Sequence, residues 1–404
     1  MRIVGLLILL LPLTFPVITT YATDFVLTGD YSNDENEPPK NGYDIKNVDG
    51  VVLIEIRKFH VDLNEILNSK EINLVNEKTD KETTPVYVKI FKTTDAVDLM
   101  EHEIDILGKI HNKGKEIIPK IYKHGITTDK SPFIIMELFE VLFIDLIQKG
   151  FNPPVKERLN MYIKLVELFE KLHDAGIVYC YVHPQNIGIH STDPWAFKLL
   201  NVNVSTSSER CEGGTKLYAA PEIIKKDNIT GDGVFKSDIY SLGIMLFAIE
   251  SEENKNIIEN KNKDIENGNN SVHFDMIQLV KEKANYLYKN THILSGFEDF
   301  EKSISIALQI AMLDMLSSDI NERPTARELG IRIRRLDKVY DQIEALNKSG
   351  KKSNFKDAIK FVFHLPYETN DADIKSADKL ITDFVKNSNG DNGASGDNPK
   401  IRLI

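Results

Sequence analysis

Cysteine is nearly absent from this chain: two residues in 404, Cys180 and Cys211. So few exclude a disulfide-dense small scaffold, and their spacing matches no metal motif. There is one Trp, and the 22 Gly and 15 Pro follow no fixed period, which excludes collagen-like chains. No internal repeat of roughly 20 to 50 residues is present, so solenoids and propellers drop out. Positive charge is in deficit, with 50 Lys and Arg against 61 Asp and Glu and a formal net charge of −11. With no local basic patch, that balance repels a phosphate backbone and argues against nucleic acid as a partner. Long apolar runs are missing after the first residues, so no membrane span is expected once those are removed.

What is there is ordinary globular composition, 42% hydrophobic and 27% charged, long enough for one two-lobed unit with tails. Residues 1–22 combine Arg2, an apolar run from Ile3 to Ile18 and the small-x-small site Thr20-Tyr21-Ala22, which reads as a secretory signal. The run is shorter than the roughly 18 residues of a spanning helix and carries Pro12 and Pro16, so an anchor is disfavoured. The expected address is the secretory pathway, lumenal or outside the cell, where two cysteines are free to form one bridge. Asn203, Asn228, Asn269 and Asn347 each open an N-x-Ser/Thr sequon, a glycan acceptor where it faces solvent.

Residues 23–47 are expected to be an acidic linker, on the strength of Asp30 to Asn47. The folded domain is expected over 48–346, with a disordered surface insertion at 251–270. Residues 347–404 form a C-terminal extension, with a possible helical pair at Phe355–Phe363 and Asp373–Val385 and a low-complexity tail over 387–400. From Val51 to about Phe139, short β-branched and aromatic runs dominate, with one helical pattern among them; from Val155 to Leu346 nearly everything long is helical. The fold class is therefore α+β, a small β-rich N-lobe to about 139 followed by a larger helical C-lobe. At 100° per residue over Asp95 to Ile110, Val97, Leu99, Met100, Ile104, Ile106, Leu107 and Ile110 share one face. Glu103 sits near the middle of that face, and a carboxylate aimed at a core needs a cation. Lys89, in the strand-like run from Val86 to Phe91, is the nearest candidate; the alternative is that both are half-exposed surface charges.

A strand Lys, a helical Glu and a hinge-like Ile134-Ile135-Met136-Glu137-Leu138 resemble the first lobe of a protein kinase. The second lobe carries the resemblance further. Leu172 to Val178 looks like the lead into the kinase catalytic loop, and Tyr179 to Asn186 stands where the family has His-Arg-Asp-Leu-Lys-Pro-Glu-Asn. Asn201-Val202-Asn203 replaces Asp-Phe-Gly. Gly214-Thr215, Tyr218 to Glu222, Lys236 to Gly243 and Asn321 to Ala326 resemble the remaining family signatures, in family order from about Val51 to Leu346.

The resemblance implies phosphoryl transfer by positioning and charge neutralisation, and the sequence departs from it part by part. Val51 to Val88 contains no glycine, so the loop that covers the phosphates is missing. Tyr181 stands at the proton-acceptor position, and a phenol keeps its proton at neutral pH. Asn201 stands at the main metal-ligand position and cannot offset Mg²⁺ charge as a carboxylate does. Asn186, the second ligand, is kept, while His183 replaces a phosphate-touching Lys. Any nucleotide is expected at Lys89, Glu103, Met136, Leu138, Asn186 and Asn201, as ATP with or without Mg²⁺, and no resident metal is expected. Lys89 with Glu103 equally admits a purely structural pairing. Glu222 with Arg323 is implied to be a buried ion pair, and Asp238 an anchor for the catalytic-loop backbone. Cys180 and Cys211 fall at family positions that face each other, which implies a disulfide locking the activation segment, two free thiols being the alternative.

The expected function is that of a secreted pseudokinase, a binding or allosteric module for a protein partner with little or no phosphotransfer. An atypical ATP-binding kinase-like enzyme is the first alternative, and an extracellular coat or adhesion protein the second.

Overall fold

The computed structural model describes residues 26–28, 42–46, 52–62, 71–73, 84–92, 95–114, 117–127, 130–139, 141–150, 152–190, 195–202, 205–206, 211, 217–225, 227, 229, 231–250, 252–266, 297–350, 358–359, 362, 365 and 371–387. Residues 1–22, expected to be a signal, the 387–400 tail beyond its first residue, Gly214-Thr215 and the sequons at Asn203, Asn228 and Asn269 lie outside them; Asn347 is exposed. The chain divides into two compact units, residues 1–102 with 119–138, and residues 103–118 with 139–404.

The first unit is built on a five-stranded antiparallel sheet, order β2-β3-β5-β7-β6, from β2 (Gly42–Lys46), β3 (Val52–Val61), β5 (Thr84–Phe91), β6 (Ile121–Ile126) and β7 (Pro132–Glu137). β-branched and aromatic residues suit a pleated, half-buried surface, and Phe59, Val61, Val86, Val88, Ile90, Phe133 and Ile135 form its core with Tyr122 packed against them. A separate parallel pair joins β1 (Val26–Thr28) to β4 (Glu71–Asn73). The segment expected to be a linker therefore contributes strands. Tyr43 pairs opposite Ile56 and Ile45 opposite Ile54, an apolar–polar alternation that the surrounding acidic, Pro-containing residues obscured.

Helix α1 (Ala96–Gly114) forms as its period requires. Met100, Ile106, Leu107 and Ile110 are buried, Asp98, Glu101, His102 and Asp105 are exposed, and Glu103 is 1% exposed.

The second unit holds a three-stranded sheet, order β10-β9-β8, from β8 (Val141–Leu142), β9 (Ile187–Ile189) and β10 (Phe197–Leu199). Its helices are α2 (Phe143–Gln148), α3 (Val155–Asp174), α4 (Pro221–Lys225), α5 (Gly233–Glu250), α6 (Glu252–Glu266), α7 (Phe297–Met315), α8 (Ala326–Lys348) and α9 (Asp371–Asn387). Every residue from Ser237 to Glu250 is buried, so α5 is the interior helix around which α6 and α7 pack. Thr325 and Glu328 close a reciprocal capping box at the start of α8, which packs on α3.

Residues 252–266, expected to be disordered, form a helix. Its composition is polar, but Asn254 is fully buried with Nδ2 donating to the Phe247 carbonyl at 2.9 Å, and Ile258 one turn later is 4% exposed. These two anchors, at i and i+4, seat one face of the helix, while Asn256, Glu259, Asn260 and Lys263 are exposed. The extension also yields helix α9, which buries Ala377, Ile381 and Val385 and packs on α8 through Lys338 with the Asp378 carbonyl and Gln342 with Thr382. Among the described residues, no helix is long and apolar enough to cross a membrane.

Candidate functional site

The best-defined site is the loop between α3 and β9. Helix α3 ends where Gly176 adopts φ +75°, donating to the His173 carbonyl at 2.8 Å while Ile177 donates to Leu172 at 3.2 Å. This paired closure turns the chain back across the helix end. Val178 then pairs with Thr206 in both directions, at 2.8 and 3.0 Å. The Asp238 carboxylate on α5 collects the next two amides, Tyr179 N–H on Oδ2 at 2.7 Å and Cys180 N–H on Oδ1 at 2.9 Å, with His173 Nε2 3.0 Å from Oδ2. Asp238, expected to anchor this backbone, thus accepts from two consecutive loop amides. Sequence reasoning missed His173, because nothing in a lone His before a Gly marks it as a carboxylate partner.

Beyond that anchor the loop closes on itself through amides. Asn186, at the end of the short turn Pro184–Asn186, donates from Nδ2 to the Tyr181 carbonyl at 3.1 Å. Asn201, held at φ +55°, donates from Nδ2 to Asn186 Oδ1 at 2.9 Å. The two side chains at the family's metal-ligand positions therefore bond to each other, and they are 4% and 5% exposed. Leu200 N–H donates to the Asn186 carbonyl at 2.8 Å, and Tyr179 bridges the strands by donating its hydroxyl toward the carbonyls of Asn186 and Leu200. Gly188 in β9 is required here, since a Cβ would lie 2.5 Å from the Phe139 ring.

Mg²⁺ takes oxygen ligands and is normally held by at least one carboxylate. Here the candidate ligands are neutral amides, and the carbonyl of one is taken by the N–H of the other. The residues do not fit a divalent cation. Among the described residues, no group of three His, Cys, Asp or Glu is placed to hold one.

Tyr181 and His183 stack at 6.4 Å between ring centroids, and Tyr218 meets His183 edge-on at 4.8 Å. His183 Nδ1 accepts from Gln185 N–H at 3.1 Å, and burial pushes its pKa down to about 4. His183 is therefore neutral at physiological pH and supplies no cation. Burial likewise raises the Tyr218 hydroxyl far above its ordinary value.

Below the loop, Glu222 and Arg323 form the expected pair, a two-pronged contact at 2.5 and 2.7 Å with Arg323 1% exposed. Arg323 Nε also donates to the Ser317 carbonyl at 2.7 Å, its guanidinium lies 4.9 Å from the Tyr240 ring centre, and the Ser237 hydroxyl donates to Glu222 at 3.0 Å. Burial alone would raise the Glu222 pKa, but the Arg323 hydrogen bond and charge, helped by Ser237, hold it below the ordinary carboxylate value. Cys180 and Cys211 are disulfide-bonded with Cα atoms 5.4 Å apart, so of the two alternatives the bonded one holds.

The expected nucleotide residues divide between the units. In the first, Lys89 is fully buried with its ammonium 5.5 Å from the Phe91 ring centre, Met136 is 7% exposed and Leu138 half-buried. Glu103, Asn186 and Asn201 belong to the second. Gly-free Val52–Val61 is one continuous strand, while the residues on either side of β4 lie outside the described ones.

A model of the protein kinase domain matches residues 68–330. The chain is 29% identical over 164 residues to serine/threonine-protein kinase cds1 of Schizosaccharomyces pombe, covering 38% of this chain and 34% of that protein. It is 22% identical over 203 residues to human serine/threonine-protein kinase D3, covering 47% and 22%. It is 23% identical over 199 residues to the smooth-muscle myosin light chain kinase of Gallus gallus, covering 48% and 10%. The matched regions thus span about a third or less of each relative.

Proposed function

The chain belongs to the protein kinase domain family, and on that premise we propose that it is a pseudokinase, a kinase fold kept to bind a protein partner rather than to move phosphate. The observation that carries this reading is the Asn201 to Asn186 hydrogen bond, in which neutral amides stand at both positions and the Asn186 side-chain oxygen faces an amide N–H rather than a cation. Around it, Tyr181 offers no proton acceptor and neutral His183 no phosphate-binding charge. Loss of a general base alone costs about 10² to 10⁴ in rate, and loss of metal neutralisation compounds it. The retained parts, Asp238 under the loop and Glu222 with Arg323, serve shape rather than chemistry. The pseudokinase acts in the secretory pathway or beyond it; the residue 1–22 signal and the Cys180–Cys211 bond support that compartment.

The test is incubation of the full chain with ATP and Mg²⁺ or Mn²⁺, alone and with a basic protein substrate, read by intact mass. Unchanged masses are expected. Phosphate incorporation that disappears in Asn186→Ala would overturn the reading.

A further inference from the structure

The setting of the disulfide has consequences that the kinase fold does not account for. Cys211 is 3% exposed and clusters with Val178 and Val234, with Cys180, Ile223, Ile229 and Phe235 packed against them. Opening a disulfide requires a thiolate to approach one sulfur along the S–S axis and expel the other. Burial closes the approach to Cys211. Attack on Cys180 would release the Cys211 thiolate into apolar surroundings, where the missing hydration disfavours its charge. While the cluster is intact, attack on Cys211 is blocked and attack on Cys180 is opposed by its leaving group.

Cys180 also carries φ +64°, a left-handed conformation that residues with a Cβ seldom adopt. Its amide is held by Asp238 and its side chain by the bridge, one restraint on each side of the unusual torsion. The Cys180 backbone is thus restrained through its amide and through its side chain.

We propose that Cys180–Cys211 is a redox latch set during folding: it closes while the chain is still open, is then sealed by the Val178–Val234 cluster, and fixes the loop backbone at residues 179–181. Closure removes two thiol protons and two electrons, which reduce an external disulfide such as oxidised glutathione to two thiols. The latch records the redox state at the time of folding and then ignores later change. This holds whether or not the protein transfers phosphate.

Two arms test it on the full, unmodified chain. In the first, native protein is treated with dithiothreitol at neutral pH, alkylated and mapped by mass spectrometry. Both cysteines are expected to stay protected natively and to react fully in guanidinium chloride; alkylation at equal rates in the two states would overturn the seal. In the second, unfolded and reduced chain is refolded with oxidised or reduced glutathione, and amide exchange over residues 177–186 is compared with that of α5. Reduced refolding is expected to leave the loop amides exchanging at least about tenfold faster relative to α5. Equal loop protection in both samples would overturn the control of the backbone.

Discussion

Replacing Glu222 with Ala removes both carboxylate contacts from a cation that has no route to water. Arg323 would keep its Nε bond to Ser317, a 3.3 Å contact with the Lys236 carbonyl and the Tyr240 ring, but no negative charge would face it. The Ser237 hydroxyl would lose its acceptor as well. Breaking a buried pair by deleting one partner costs about 3 to 5 kcal/mol, because the surviving charge stays desolvated. Set against a typical domain stability of about 5 to 15 kcal/mol, that is a large fraction. The assay is guanidinium denaturation followed by near-ultraviolet circular dichroism at neutral pH. The acid dependence supplies an internal check. The folded-state pKa of Glu222 lies below its unfolded value, so its contribution is fully present above the ordinary carboxylate pKa and is lost as pH falls through the folded value. The gap between wild type and variant should therefore begin to narrow as pH falls below the ordinary carboxylate pKa and close only below the lower folded value. A loss under about 1 kcal/mol at neutral pH would refute the argument that the pair is desolvated.

Asp238→Ala should cost about 2 to 5 kcal/mol, since it strips the acceptor from the buried Tyr179 amide and from Cys180, whereas Asp238→Asn, which retains one carbonyl oxygen, should cost less; equilibrium denaturation separates them. His183 has a folded pKa of about 4 against an ordinary 6.5, so the unfolded chain binds the extra proton and stability falls as pH drops between those values. The slope from this group is at most about 1.4 kcal/mol per pH unit, and His183→Asn should lack it in a pH series of melting curves.

Much of the architecture was legible in the sequence. The stripe from Val97 to Ile110 placed Glu103 on the buried face of α1, and its burial follows. The ordered run of motifs placed Asp238, Glu222 and Arg323, whose contacts are local consequences of a familiar frame. Polar helices and short strands were harder. Residues 252–266 carry few apolar side chains, and among the described side chains it is Asn254 and Ile258 that are buried, so tertiary contact rather than composition seats the helix. Gly42–Lys46 is too short for its alternation to stand out against the acidic residues before it. In the site, the identities of Asn186 and Asn201 were plain, but their mutual hydrogen bond was not. A pattern of residue types carries no torsions, and the left-handed turn at Asn201 accompanies that contact. The neutrality of His183 likewise follows from burial, which a single sequence position does not carry.

The most direct test of the account is whether the catalytic loop brings a divalent cation to a nucleotide. Mn²⁺ binding to the full chain with ATP, followed by electron paramagnetic resonance, measures this against ATP alone. The account predicts no additional saturable Mn²⁺ binding by the wild-type protein, and a gain in Asn201→Asp, where a carboxylate replaces the amide that donates to Asn186. Saturable wild-type binding that is abolished by Asn186→Ala would contradict it.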